Sequence, residues 1–179
     1  MEFNAASLPG LIEIVPKIFH DERGFFFESY SKKMFTENGI SDDFVQDNHS
    51  FSVKGVLRGL HYQNPPFAQG KLVRAVTGKV MDVVVDIRQQ SPTFGQHAKF
   101  ILDAAVGNML YVPAGFAHGF VALEDAVFAY KCTAFYDKPS EGGIIWNDPQ
   151  LAIDWRVENP IVSAKDQQLP LFSECVNKF

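Results

Sequence analysis

The stretch Lys79-Val-Met-Asp-Val-Val-Val-Asp-Ile87 alternates with a period of two. Met81, Val83, Val85 and Ile87 share one face, and Val80, Asp82, Val84 and Asp86 share the other. Both faces are largely apolar, so the stretch reads as a central strand covered on both sides. The same short-strand pattern recurs outward from it, between turn residues. Residues 11–15 and 25–30 read as strands. Residues 127–136 read as a second long strand, with Phe128, Tyr130, Cys132 and Ala134 on one side. Gly107, Pro113, Gly115 and Gly119 punctuate another strand pair. Residues 31–38 form the best early helix, with Ser31 as N-cap and Gly39 as stop. Beyond Pro149 the pattern loosens, and residues 153–155 and 160–162 read as edge strand and packing tail. Many short strands with Gly and Pro turns, and few helical patterns, predict a mainly β sandwich or barrel.

A chain of 179 residues is read as one domain, residues 1–179, large enough for a real core. A net charge of -5 argues against a nucleic-acid binder held by a basic surface. An anionic small molecule stays open, because a few Arg and Lys residues can dominate one cleft. Cys132 and Cys175 have neither metal-ligand nor disulfide-framework spacing. No apolar run has the length of a membrane span, and Met1-Glu-Phe-Asn-Ala5 is no signal-peptide start. The expectation is a soluble, cytoplasmic protein with no nucleic-acid or membrane partner.

The chemistry concentrates in Gly55-Val-Leu-Arg58-Gly59-Leu-His61-Tyr-Gln63 and Gln69-Gly-Lys71-Leu-Val-Arg74. Histidine exchanges a proton near neutral pH, and lysine and arginine hold permanent or developing negative charge. Together they suggest proton transfer on an anionic substrate. Lys71 follows His61 by ten residues, a distance that fits placement across a hairpin. In a regular strand Arg58 and His61 would face opposite sides. A bulge at Gly55 or Gly59 would re-aim one of them; otherwise Arg58 reaches the site from its rim. Other polar residues have ordinary readings on spacing alone. Tyr130 is a strand aromatic, Asp166 a turn carboxylate, Arg23 and Glu28 a surface ion pair, and Gln46, Asn48 and His49 loop residues.

The segment Gly107-Asn-Met-Leu-Tyr-Val-Pro113-Ala-Gly115-Phe-Ala-His118 resembles the second motif of the cupin superfamily. Gly55 and His61 fit the start of the first motif, but Gln63 stands where its second histidine would be. Gln is a poor ligand for transition metals, and Lys71 adds positive charge beside any cation. His20, His49 and His97 have no matching spacing. The expectation is a cupin-like jelly-roll β-barrel with a few short helices and no metal.

Longer motifs narrow the resemblance. Asp21-Glu-Arg-Gly-Phe-Phe26, Phe44-Val-Gln-Asp-Asn-His-Ser50, the two segments around His61 and Lys71, and Asp82-Val-Val-Val-Asp-Ile-Arg88 are similar to the dTDP-4-dehydrorhamnose 3,5-epimerase family. So are Ser91-Pro-Thr-Phe-Gly95, Pro113-Ala-Gly-Phe-Ala-His-Gly-Phe120 and Trp146-Asn-Asp-Pro149. The resemblance implies a homodimer, without cofactor, that inverts C3 and C5 of dTDP-4-dehydro-6-deoxy-D-glucose for dTDP-L-rhamnose and cell-surface polysaccharide synthesis. It implies His61 as base, Asp166 as its orienting carboxylate, Tyr130 as the acid on the opposite face and Lys71 as stabiliser of the enolate. It implies substrate contacts from Arg23 and Glu28 across a dimer interface, from Gln46 and Asn48 to the thymidine, and from Arg58, His118, Glu141 and Lys165. Tyr136 is a further ring available for stacking. Phe27 stands where relatives often carry Tyr, with little consequence expected. A mono-epimerase, a sugar ketoisomerase, a non-catalytic binding barrel and a metal-dependent oxygenase are the competing readings.

Overall fold

The structure is a computed structural model that describes residues 1–177 and 179. Two antiparallel sheets form the barrel. The first runs β1 (Glu2–Ala5), β2 (Ile12–Val15), β10 (Met109–Val112), β7 (Lys71–Thr77), β12 (Ala126–Cys132) and β5 (Gln46–Ser52). The second runs β13 (Glu141–Gly143), β6 (Val56–Gln63), β11 (Phe116–Ala122), β8 (Lys79–Asp86) and β9 (His97–Asp103), with β14 (Ile161–Val162) added parallel to β6. A small hairpin, β3 (Phe19–Asp21) with β4 (Gly24–Phe26), pairs with neither sheet. The only α-helix among the described residues, α1 (Lys32–Glu37), follows it. The architecture is a double-sheet jelly roll, within the sandwich or barrel that the strand pattern predicted and as the family resemblance implied.

Alternation explains how these strands pack. From β8, Val80 and Val84 face inward and meet Val73, Ala75, Leu110, Phe120 and Phe128 between the sheets. Its other face, Met81, Val83 and Val85, packs outward beneath Ile144, Leu151, Trp155 and Phe172 of the C-terminal segment. Residues 79–86 are therefore covered on both sides, as read. The outer face of the first sheet, through Ile14, Leu72, Met109 and Tyr111, is capped by Phe35 and Ile40. α1 starts after Ser31 and stops at Gly39, whose φ is +88°. Ser31 makes no side-chain cap, so its backbone carbonyl alone starts the helix.

Two expected strands are shorter than read, and a third is absent. β12 ends at Cys132, because both of its ladder partners begin opposite that residue, β5 at Gln46 and β7 at Lys71. β4 stops at Phe26, since β3 offers three residues to pair; Tyr30 instead turns its ring onto Phe35 and Phe44. Residues 153–155 form no strand. Trp155 is buried and its indole N–H donates to the Trp146 carbonyl at 2.7 Å. Both cysteines are free thiols. Among the described residues, no helix is long and apolar enough to cross a membrane.

Candidate active site

The site begins with an irregularity in β6. Opposite β11, His61 aligns with His118 but Arg58 aligns with Phe120, so β6 carries one extra residue between them. Leu57, Leu60 and Tyr62 all pack in the outer core. Arg58 and His61 are thereby left facing the same side: of the two alternatives the strand left open, the bulge is present, and it lies at Gly59. Only glycine fits there: φ is +131°, and a Cβ would lie 2.6 Å from the Gly119 Cα and 3.0 Å from the His118 carbonyl oxygen.

The bulge brings His61 to a carboxylate far away in sequence. Asp166 is buried, and its Oδ1 lies 2.8 Å from His61 Nε2. Its Oδ2 accepts from the Gly59 N–H at 3.2 Å. Burial raises the Asp166 pKa, but the His61 ring, the Gly59 amide and Lys165 outweigh it and hold the carboxyl below its ordinary value. With Nε2 engaged, Nδ1 is the His61 nitrogen left for chemistry. The ring is partly open, at 32% exposed.

Lys71 does not lie across a hairpin from His61. β6 and β7 belong to different sheets, because the link between them crosses the barrel instead of turning back. Lys71 pairs in register with Cys132, and Tyr130 with Val73, so Lys71 and Tyr130 share the inner face of the first sheet. His61, Lys71 and Tyr130 line one cavity of about 180 Å³ with Gln46, Asn48 and Glu141. Burial draws the Lys71 pKa down, against the pull of Cys132, Asp82 and Glu141. Burial also raises the Tyr130 hydroxyl, with Cys132 adding and Arg58 opposing, and so keeps it protonated. Neither the ammonium nor the hydroxyl has a hydrogen-bond partner among the described residues.

The remaining candidates fall into three groups. Gln46 and Asn48 are neighbours on β5, joined at 3.0 Å, and Gln46 also accepts from the Tyr136 N–H. At the other wall, Glu141 binds Lys165 at 2.6 Å and the Tyr136 hydroxyl at 3.2 Å. Burial raises the Glu141 pKa, but these partners and His61 bring it below the usual range. Arg58, His61, Lys165 and Asp166 line an adjoining groove of about 350 Å³, with the Arg58 guanidinium steadied by Ser52 Oγ and the Phe51 carbonyl, each at 3.1 Å. His118 is nearly buried beside His61, its Nε2 2.8 Å from Asp82 Oδ2. Arg23 and Glu28 are exposed, with Arg23 bound to Asp21 in the β3–β4 hairpin, and neither lines the cavity of its own chain.

Two features were not assigned from sequence. Asp82 is fully buried in the barrel wall; the available signal was a carboxylate in a strand apolar on both faces. The Gln63 amide bonds the carbonyls of Phe67 and Phe135 and accepts from the Asp137 N–H. It therefore anchors two loops at the cavity edge, a role spacing could not reveal. Among the described residues, no three His, Cys, Asp or Glu side chains converge as metal ligands would. A hollow of about 280 Å³ includes Asp47, His49, Arg74 and Lys131, but strand alternation sets these on the outer face, away from His61.

Known proteins are similar to this chain in sequence and fold. The family model described as dTDP-4-dehydrorhamnose 3,5-epimerase matches residues 5–174. The dTDP-4-dehydrorhamnose 3,5-epimerase of Shigella flexneri is 55% identical over 161 residues, 89% of each chain. The crystal structure of the Legionella pneumophila 3,5-epimerase in complex with dTDP-4-keto-L-rhamnose superposes with a TM-score of 0.93 at 50% identity, covering 97% of this chain and 93% of that one. A 3'-monoepimerase from Streptomyces bikiniensis, in complex with dTDP-quinovose, gives 0.88 at 34% identity, over 94% and 86%. On the extent of the family match and the identity to these relatives, the chain belongs to the dTDP-4-dehydrorhamnose 3,5-epimerase family.

Proposed function

We propose that this enzyme inverts C3 and C5 of dTDP-4-dehydro-6-deoxy-D-glucose to give dTDP-4-dehydro-L-rhamnose, using the residues of the His61 cavity and no cofactor. The C4 ketone acidifies the hydrogens on both neighbouring carbons. His61 Nδ1 takes one proton, and Asp166 stabilises the imidazolium that results. The electron pair moves onto the C4 oxygen, where Lys71 holds the enolate. Tyr130 then returns a proton to the carbon from the opposite face, the imidazolium releases its proton to solvent, and the tyrosinate takes one up. Repeating the cycle at the second carbon completes the double inversion.

The observation that carries this reading is the opposed arrangement of the groups. His61 comes from one sheet, with Asp166 beside it on the helical turn Asp166–Gln168, Tyr130 and Lys71 come from the other sheet, and a cavity lies between them. Arg58 and Lys165 in the adjoining groove suit the diphosphate, Arg58 through its bidentate fork, with His118 beside them. Gln46, Asn48, Glu141 and the Tyr136 ring suit the sugar and thymidine. Arg23 and Glu28 would serve the partner's cavity in a homodimer; the exposed Phe19, Phe25 and Phe26 of their hairpin support such a contact. A cytoplasmic setting fits a nucleotide-sugar substrate.

The test is NMR of the dTDP-4-keto sugar in D2O. Deuterium should enter at both C3 and C5. His61→Asn should reduce that exchange by orders of magnitude while dTDP still binds. Near-native exchange in that variant would overturn the mechanism, and labelling at one carbon would make the enzyme a mono-epimerase.

A further inference from the structure

We propose that Asp82 is a positioning residue for this reaction: its buried carboxylate is the fixed counter-charge of the barrel wall, fastening His118 and keeping the Lys71 ammonium charged where the enolate oxygen forms. The proposal rests on the epimerase reading.

The argument starts from what Asp82 costs. It lies on the inner face of β8 between Val80 and Val84, fully buried, with Phe120 and Phe100 as its neighbours on β11 and β9. A carboxylate taken out of water there is expensive unless other groups compensate it. Oδ2 meets His118 Nε2 at 2.8 Å, but Oδ1 has no hydrogen-bond partner among the described residues. A neutral Asn could hold His118 as well. The full charge needs a further reason, and Lys71 supplies it: Asp82 on β8 and Lys71 on β7 project from the two sheets into one barrel interior. His118, bonded to Asp82, pairs in register with His61, which lines the cavity with Lys71, so that each charge favours the other.

The other groups that face Lys71 cannot take this role. Cys132 from β12 is pushed up by burial and stays a neutral thiol. Glu141 from β13 is already committed to Lys165 and the Tyr136 hydroxyl. Tyr130 from β12 is held protonated. Asp82 itself is faced by His118 from β11 and Lys71 from β7, while β9 contributes only Phe100. Glu141 also acts on Lys71, but Asp82 is the anion among these groups that has no other lysine to pair with. Burial opposes ionisation of both partners, so each depends on the other for its charge.

The experiment is the pH profile of kcat for Asp82→Asn, beside wild type and His118→Gln. Asp82→Asn should lower kcat about 10- to 100-fold, as loss of a supporting partner does, with KM changing less than about threefold. Its alkaline limb should move to lower pH by about one unit or more, because a lysine without its counter-charge loses its proton earlier. His118→Gln should keep the limb at its wild-type position. An unmoved limb in Asp82→Asn, or the same shift in His118→Gln, would overturn the proposal. Should Asp82→Asn not fold, carbon-13 NMR of carboxyl-labelled aspartate in the wild-type protein decides. An ionised Asp82 at pH 7 is expected, and a protonated acid would refute the proposal. Wild-type protein with no exchange at C3 or C5 would instead refute the epimerase mechanism, independently of the carboxyl signal.

Discussion

Replacing Asp166 by Asn changes one atom and tests the His61 pair directly. The wild-type carboxylate fixes His61 through a 2.8 Å contact to Nε2 and is itself fixed by the Gly59 N–H at 3.2 Å. An amide of the same shape preserves packing but can present its NH2 group to Nε2. That would place the ring proton on Nδ1, the nitrogen required as the base. The same change in a Ser-His-Asp triad costs about 10⁴ in kcat, or about 5 kcal/mol of barrier. Because the His61 ring is partly open to the cavity, water can compete for Nε2, so the expected loss spans about 10²- to 10⁴-fold. Stability should change far less. The loss is the charged part of two hydrogen bonds, about 1–2 kcal/mol at neutral pH. The Asp166 pKa is depressed in the fold, so its contribution is present above the ordinary carboxylate range and disappears as pH falls through the folded value. The assay is deuterium entry at C3 and C5 by NMR, with dTDP binding and circular dichroism as controls for folding. A folded Asp166→Asn protein retaining more than about a tenth of the wild-type exchange rate would refute the dyad.

Two further predictions concern the frame around the site. Gly59→Ala should cost at least about 2 kcal/mol, because its Cβ would meet the Gly119 Cα at 2.6 Å and the backbone has positive φ. Thermal unfolding checks it, and a melting point equal to wild type would contradict the close approach of β6 and β11. Asp86 is fully buried; burial raises its pKa, but Arg88, Ser91 and Thr93 overcome that and bring it to about 2. The shift from 3.8 corresponds to about 2 kcal/mol of stability, present above pH 4 and lost as pH falls toward 2. Asp86→Asn should show that deficit in urea unfolding at pH 7, and the gap should narrow at pH 3; a gap independent of pH would exclude the ionic network.

What sequence could and could not reveal follows from the range of the interactions. The β8 alternation and the limits of α1 are local, set by side-chain period and by Gly39, and both could be read. The bulge could be raised as one of two possibilities, because glycines flank Arg58, but only the β11 register decides against Arg58 reaching in from the rim. The end of β12 could not, since a strand lasts only as long as its partners, and these are fixed elsewhere in the chain. Asp166 lies 105 residues from His61, so only resemblance pointed to their meeting. Asp82 was visible as an odd carboxylate in an apolar strand, but its neighbours His118 and Lys71 come from two other strands on two sheets.

The misplaced hairpin is the most instructive of these differences, because the proposed mechanism requires the alternative. Had residues 64–70 turned β7 back beside β6, His61 and Lys71 would have shared one wall. The Tyr130 ring, which pairs in register with Val73 of β7, would have joined them there. Base and acid would then have approached the sugar from the same side, and a proton removed would have returned to the face it left. Crossing the barrel separates them: His61 and Asp166 stand on one wall, Tyr130 and Lys71 on the other, with about 180 Å³ between. Inversion at carbon needs that separation, and the enolate oxygen needs a cation that does not compete with His61 for the Asp166 carboxylate. A short link between two strands can thus decide whether the same four side chains support exchange with retention or stereochemical inversion.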